Sequence, residues 1–286
     1  MGESAAVSMR ASTSIDPGGV HRFDPPLNPP GVPEYFMGVA GIEFDGDDTI
    51  AVLQTGPWLS WDGRAVAVGS LGVLFDNVLA YPMLSGASAQ TALVSTQITI
   101  DALAPIGVDA GPLTARGTML ARDERSAFAT AELRNAAGVP VAVATQRGRF
   151  VPIVDAPGYD YEESGVGTDS TSLADLMWPG SAPPRVTNDG RLEFRIAPRL
   201  GNHMNSMHGG ISLLFAEWAA LAAVRAQGGD LTTASIRVSY ARPIPVGTTA
   251  TFETSVQHLG QTTANVNVVG RTDAGKCGVV ALVTLH

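Results

Sequence analysis

The segment from residue 201 to residue 210 holds the most chemically specific residues of the chain. It reads Gly-Asn-His-Met-Asn-Ser-Met-His-Gly-Gly and leads directly into a long apolar run. Two glycines at a helix start leave backbone N–H groups that no side chain shields, so a carbonyl oxygen or an oxyanion can approach the positive end of the helix dipole. The segment therefore indicates an oxyanion hole at Gly209 and Gly210. The alternative is a tight entry turn that His208 caps.

Two carboxylates lie inside the apolar runs of the sequence. Asp76 and Glu217 each have only glycine, alanine or larger apolar residues three and four positions away on either side. No counter-charge is therefore available on the same helix, and burying such a carboxylate is unfavourable unless it faces a polar cleft built by another element. We expect one acid in each of two clefts. The alternative is a structural hydrogen bond at a domain interface.

The two acids occupy equivalent places in an internal repeat. Asp76 and Glu217 are 141 residues apart, as are two prolines that end short strand-like runs, and later landmarks keep offsets of 138 and 137. Each copy has a short strand, one long apolar helix and then a run of strands. The second helix is predicted over Ile211–Gln227, and Pro82 is expected to kink or end the first. The pattern predicts an α+β chain in which each copy wraps a curved antiparallel sheet around its central helix.

Composition between and before the copies sets the predicted boundaries. Residues 1–33 carry many prolines and small polar residues, which predicts a flexible N-terminal segment. Residues 153–189 are rich in Pro, Gly, Ser and Asp, which predicts a linker. The two domains are then expected at residues 34–152 and 190–286.

Composition also argues against several classes of function. The formal net charge of −9 disfavours nucleic acid or an anionic membrane as a partner. The single cysteine, Cys277, leaves no intrachain disulfide or cysteine-based zinc site. No metal is expected, because His203 and His208 share a loop without a carboxylate at ligand spacing. The N-terminus lacks the apolar region of a signal peptide, and the apolar runs are too short for a bilayer, so we expect a soluble cytoplasmic protein.

The second copy resembles the hot-dog-fold acyl-CoA thioesterases of the phenylacetate-pathway type. That family has a His-Gly-Gly motif, an asparagine six positions before the histidine and an acid nine positions after it. The matching residues here are Asn202, His208, Gly209, Gly210 and Glu217. The resemblance implies a double hot-dog chain that forms an intrachain pseudo-dimer, with further association into a homo-oligomer.

The first copy keeps a complementary part of the family pattern. It has Asp76 and Asn77 in its helix and Ser95 in the following strand. Where the second copy has Asn202, His208, Gly209 and Gly210, it has Trp61, Ala67, Val68 and Gly69. In this family the oxyanion-hole glycine of one domain faces the carboxylate of the other. The resemblance therefore implies one intact cleft and one degenerate cleft, the latter built from Glu217, Thr233 and Gly69 and filled by Trp61.

The resemblance implies hydrolysis of an acyl-CoA thioester to free acid and CoA, with no cofactor. The Gly209 N–H would be the oxyanion donor, and Asp76 the general base or nucleophile. The other expected site residues are His208, Asn202 and Ser95 as supporting groups and Gly210 and Asn77 as substrate contacts. Arg237 is a further candidate contact, for the CoA phosphates, and its alternative is a solvated strand face. Two other functions compete. One is a non-catalytic acyl-CoA-binding or regulatory protein, and the other is a hydratase, whose usual Asp/His or Arg arrangement is not found.

Overall fold

The computed structural model describes residues 13–15, 21–23, 33–88, 90–153, 170–179, 183–184, 186–187 and 191–286. The helices are α1 (Pro33–Phe36), α2 (Gly72–Leu84), α3 (Leu173–Met177) and α4 (Gly209–Ala226). The strands up to the middle of the chain are β1 (Thr13–Ile15), β2 (His21–Phe23), β3 (Val39–Asp45), β4 (Asp48–Leu53), β5 (Thr91–Ala102), β6 (Leu113–Arg122), β7 (Ser126–Arg134) and β8 (Pro140–Pro152). The later strands are β9 (Arg191–Arg195), β10 (Thr233–Tyr240), β11 (Thr249–Leu259), β12 (Ala264–Arg271) and β13 (Cys277–Leu285).

One antiparallel sheet of 11 strands runs through the described part of the chain. Its order is β3-β4-β6-β7-β8-β5-β10-β13-β12-β11-β9, and β1 pairs separately with β2. The middle of the sheet is the β5–β10 pair, where Ile98 lies opposite Val238. Outward from that pair, β8, β7, β6 and β4 on one side follow the same chain order as β13, β12, β11 and β9 on the other. The strand orders of the two halves thus agree with the repeat found in the sequence.

The inward face of this sheet carries the two long helices. On β10, Ile236 and Val238 are buried, whereas Arg237 and Ser239 are exposed on the other face, as their alternation predicts. Helix α2 packs on the strands of the first half, and α4 packs on β10 to β13. Of the described helices, only α4 is long and apolar enough to cross a membrane, and 67% of it is buried in the fold.

Helix α4 begins two residues before the segment predicted for it, at Gly209, and ends one residue before the predicted end, at Ala226. Helix α2 continues for two residues beyond Pro82, so this proline lies in its last turn. Proline has no N–H for the carbonyl four residues before it, which here belongs to Val78. That carbonyl oxygen occupies the space that a side chain at Gly117 of β6 would need. The packing of α2 on β6 therefore requires glycine at this strand position.

Helices α2 and α4 meet at two glycines near their N-terminal ends. A Cβ at Gly72 would lie 2.6 Å from the Gly210 carbonyl oxygen, and one at Gly210 would overlap the backbone of Gly72 and Val73. Neither obstacle is a side chain that could turn away. This contact places Asp76, one turn after Gly72, beside the start of α4, and it places Glu217 beside the residues that precede α2.

Part of the predicted linker is packed rather than extended. Helix α3 lies within it, and Leu173, Leu176 and Met177 are buried. The Leu173 N–H donates to the Ser60 carbonyl at 2.9 Å, which ties this segment to the first half. Most of the predicted N-terminal segment and much of the linker lie outside the described residues. The domain boundaries therefore stay predictions.

The contact between Gly72 and Gly210 predicts that Gly210→Ala strongly destabilises the fold. A methyl group there overlaps backbone, so we expect a loss of about 3 kcal/mol in the free energy of unfolding, measured by urea denaturation. Gly209→Ala is the matched control, because its Cβ would meet a side-chain atom, Asp76 Oδ2 at 2.5 Å, which can move. Equal losses for the two variants would contradict the steric role of the Gly72–Gly210 contact.

Candidate active site at the helix crossing

One carboxylate oxygen of Asp76 is held by side chains from two strands. Asp76 Oδ1 accepts hydrogen bonds from Ser95 Oγ at 2.9 Å and from Gln146 Nε2 at 3.1 Å. The Gln146 amide also donates to Ser95 Oγ at 2.6 Å. Ser95 was predicted to lie here, whereas Gln146 was not. Its signal in the sequence is a polar residue at an inward position of β8, where it is 1% exposed.

The other oxygen of Asp76 faces the start of α4. Asp76 Oδ2 lies 3.5 Å from His208 Nδ1. It also lies so close to Gly209 that a Cβ added to this glycine would be 2.5 Å from it. Gly209 is the first residue of α4, so the helix offers its N–H no acceptor. Within the described residues, no hydrogen bond from this N–H is formed. The predicted oxyanion donor and the predicted base therefore lie side by side.

His208 caps α4. Its Nδ1 accepts the Gly210 N–H at 3.0 Å, and its Nε2 lies 3.2 Å from Glu34 Oε1. The capping alternative considered for this segment is thus observed, and it coexists with a Gly209 N–H that donates no hydrogen bond to any described residue. Gly210, which the resemblance implied as a substrate contact, donates its N–H to this cap.

Glu34 of α1 was not predicted from the sequence, because no motif surrounds it. It accepts a hydrogen bond from Asn77 Nδ2 at 2.8 Å, and Asn77 also donates to the Val73 carbonyl. Asn77, for which the resemblance implied a substrate contact, therefore orients Glu34. Burial works to raise the pKa of Glu34, but His208 and the nearby donors hold it below its ordinary value. Burial works to lower the pKa of His208, but Glu34 and then Asp76 raise it overall.

Two further residues shape the start of α4. Asn202 Oδ1 accepts hydrogen bonds from the Met204 N–H and from both the N–H and the hydroxyl of Ser206, so it closes the loop that leads to His208. Tyr240, at the end of β10, donates its hydroxyl to the Gly209 carbonyl at 2.8 Å. Sequence reasoning had missed this tyrosine. Its only signal in the sequence is a hydroxyl group at the last inward position of the Ile236, Val238 and Tyr240 alternation.

Arg237 is not brought together with the other predicted site residues. It is exposed on the face of β10 that points away from the helices, between the buried Ile236 and Val238. Its partners across the sheet are Thr99 and Leu282. The structure thus places it on the solvated strand face rather than in the cleft.

The second cleft is occupied by its own acid. Glu217 Oε1 accepts the Val68 N–H and Oε2 accepts the Gly69 N–H, both at 3.0 Å. These are the backbone donors that correspond to those at the start of α4. Burial raises the pKa of Glu217, against the donors that face it from Thr233, Gly69, Val68 and Trp61. Within the described residues, neither the Thr233 hydroxyl nor the Trp61 N–H has the geometry of a complete hydrogen bond.

Trp61, which faces Glu217, belongs to an aromatic cluster. It stacks on Trp218 with ring centroids 4.9 Å apart, and Trp178, which follows α3, lies 5.1 Å from Trp218. The inward residue of β13 that corresponds to Gln146 is the buried Val283, which pairs with Ile236 as Gln146 pairs with Ile98. This cleft therefore lacks both an available N–H pair and the amide that supports Asp76.

Residues 204–279 match the Thioesterase superfamily (4HBT). The matched segment begins in the loop before α4, includes the whole of α4 and ends in β13. No curated protein matches the chain in sequence. In the described part of the chain, no group of three or more His, Cys, Asp or Glu residues is arranged to hold a metal ion.

Solved thioesterase structures share the fold over most of the chain. A protein described as an oleoyl thioesterase of Lactobacillus plantarum has a TM-score of 0.59 at 13% identity, covering 87% of this chain and 98% of that one. The TesB protein of Mycobacterium avium subsp. paratuberculosis has a TM-score of 0.58 at 12% identity, covering 86% and 94%. The 12:0-ACP thioesterase of Umbellularia californica has a TM-score of 0.59 at 9% identity, covering 84% and 94%. At these identities the likeness establishes the hot-dog thioesterase fold.

The occupied second cleft predicts that Glu217 stabilises the fold. Glu217→Ala leaves two buried N–H groups without an acceptor, so we expect a loss of about 3 kcal/mol in the free energy of unfolding. Glu217→Gln keeps one acceptor oxygen and should lose less. Urea denaturation measures both, with Ala in place of the exposed Glu193 as the control. A Glu217→Ala variant as stable as the control would contradict this role.

Proposed function

We propose that this chain, a thioester hydrolase with a Thioesterase-superfamily domain over residues 204–279, cleaves acyl-CoA thioesters to a free acid and CoA in a single cleft. One observation carries the proposal. Asp76 is anchored through one oxygen by Ser95 and Gln146, and its other oxygen lies beside the start of α4, where the Gly209 N–H donates no hydrogen bond within the described residues. Acyl transfer to water uses a base and an oxyanion donor held close together, and here they come from two different helices.

In the proposed reaction the thioester carbonyl oxygen accepts a hydrogen bond from the Gly209 N–H, at the positive end of α4. Asp76 Oδ2 takes a proton from a water molecule, whose oxygen attacks the carbonyl carbon. The C–S bond of the resulting tetrahedral intermediate then breaks, and the leaving CoA thiolate takes the proton from Asp76, which restores the carboxylate. Direct attack by Asp76, which would form an acyl anhydride that water then hydrolyses, is the alternative order of events.

Gln146 has a second role in the proposed reaction. Its Nε2 donates to Asp76 and Ser95, and its Oε1 is buried without a hydrogen-bond partner within the described residues. A buried carbonyl oxygen of this kind needs a donor. The attacking water can supply one, so Gln146 would hold the water through Oε1 and the base through Nε2.

We further propose that the two halves are tandem hot-dog domains in an intrachain pseudo-dimer. The matching strand orders on either side of the β5–β10 pair support this organisation. So does the way each acid faces the helix start of the other half. The second cleft is then the degenerate one, since Glu217 fills it. Association of such chains into a homo-oligomer and a cytoplasmic location remain predictions.

A non-catalytic acyl-CoA-binding protein is the second candidate, and the occupied second cleft is the observation that favours it. Release of free thiol from a panel of acyl-CoAs separates the two functions. The panel should include acyl chains carried on acyl carrier protein, since one structural neighbour is a 12:0-ACP thioesterase. Binding of acyl-CoA without thiol release would support the second candidate.

The proposed mechanism predicts that Asp76→Asn lowers kcat by roughly 100-fold or more, because the amide cannot accept the proton of water. Thiol release measures the rate. Asp101→Asn, an exposed change on β5, is the matched control and should keep the wild-type rate. Full activity in Asp76→Asn would show that the base lies elsewhere, and loss of activity in Glu217→Gln alone would move the reaction to the other cleft.

Gln146→Leu removes both the support of Asp76 and the proposed water contact while it keeps much of the side-chain volume. We expect kcat to fall roughly 100-fold, with a much smaller change in KM, because the amide acts on water and base rather than on the acyl group. Gln257→Leu, at an exposed position of β11, is the control. A change confined to KM would argue against a role for Gln146 in holding the water.

A further inference from the structure

We infer that Glu34 is a positioning residue for the cleft between Asp76 and Gly209: it fixes the His208 imidazole in the form that carries its hydrogen on Nε2. This form leaves Nδ1 free to cap α4. The catalytic consequence rests on the proposed function, whereas the protonation state of His208 can be measured without any substrate.

The hydrogen-bond partners of His208 select this form. A carboxylate at neutral pH only accepts hydrogen bonds, so the 3.2 Å contact between Glu34 Oε1 and His208 Nε2 needs a hydrogen on Nε2. The Gly210 N–H only donates, so its 3.0 Å contact with Nδ1 needs a lone pair there. The neutral imidazole with hydrogen on Nε2 satisfies both partners at once.

Glu34 is itself held in place for this role. Asn77 donates to the same oxygen, Oε1, at 2.8 Å and is anchored to the Val73 carbonyl of α2. Glu34 thus connects α2 of the first half to the cap of α4 in the second. A carboxylate that only filled space in the first turn of α1 would not need two donors on one oxygen.

A proton on Nδ1 would disrupt the cleft in two ways. Nδ1 could no longer accept the Gly210 N–H, so the cap would be lost. The new N–H would also face Asp76 Oδ2, which lies 3.5 Å away, and would pair with the proposed base. The imidazolium form of His208 should therefore be inactive.

The groups around His208 set the pH at which its imidazole becomes protonated on Nδ1. The charged groups that act on it are Glu34 and Asp76, while burial and then His208 itself lower the pKa of the neighbouring His203. Tyr81 faces both carboxylates and Tyr240 faces Asp76, and both tyrosines have pKa values raised above the ordinary range. Burial lowers the pKa of His208, and the Glu34 charge is the main opposing cause, so the pKa is raised overall. Activity should therefore be lost as the pH falls through this raised pKa.

Glu34→Gln tests the inference. The glutamine Oε1 can still accept from Nε2, but its charge is gone, so burial should lower the pKa of His208 by about one unit or more. The acid limb of kcat/KM should move to lower pH by the same amount. Glu34→Ala loses the acceptor as well and should reduce activity at every pH. Glu43→Gln, at an exposed site on β3, is the matched control.

Nitrogen NMR of the full chain with labelled histidine gives the direct readout. There are five histidines, and a His208→Asn variant assigns the relevant signals. We expect hydrogen on Nε2 of His208 in the wild type and in Glu34→Gln, with a lower pKa in the variant. Hydrogen on Nδ1 in the wild type, or an unchanged pKa in Glu34→Gln, would overturn the inference. The expected NMR result without thioester turnover would instead refute the proposed function and leave the role of Glu34 in place.

Discussion

The backbone contact between Gly72 and Gly210 is the constraint on which the rest of the structure depends. Because neither residue has a Cβ, the first turns of α2 and α4 lie closer than any other pair of residues would permit. Each helix can then present a carboxylate to the N-terminal N–H groups of the other half. Without this approach neither acid would lie within reach of a helix start, and the chain would have no cleft of either kind.

In both halves a carboxylate faces the helix start of the other half, but only Glu217 accepts hydrogen bonds from the N–H groups there. The length of the two side chains and the hydrogen bonds that hold Asp76 explain this difference. Glu217 is one methylene longer than Asp76 and reaches both N–H groups opposite it. Asp76 is shorter and is anchored through Oδ1 by Ser95 and Gln146, so its other oxygen stands beside Gly209. One acid thus completes the fold, while the other remains available for chemistry.

Much of this arrangement could be predicted from the sequence because it follows from local patterns. The helical spacing of apolar residues predicted the start of α4 to within two residues. The nearly constant offset between the two copies paired Asp76 with Glu217. Glu34 and Gln146 could not be found in this way. Their partners lie far along the chain, 174 positions away for Glu34 and His208, and no spacing rule connects them.

The assignment of Gly210 as a substrate contact shows a second limit. The sequence indicated two helix-start N–H groups, but only the structure shows that the His208 side chain occupies one of them. The packing of α3 inside the predicted linker was missed for a related reason. Its buried leucines and methionine contact residues distant in the chain, and its flanks have the composition of a loop.

The central claim is that one cleft in each chain binds the thioester carbonyl through the Gly209 N–H. A stable acyl-CoA analogue, in which a methylene group replaces the thioester sulfur, tests it by calorimetric titration together with amide NMR. We predict one analogue bound per chain and a large shift of the Gly209 amide signal, with the Val68 and Gly69 signals unchanged. Two analogues per chain, or shifts at Val68 and Gly69 as Glu217 is displaced, would contradict the claim.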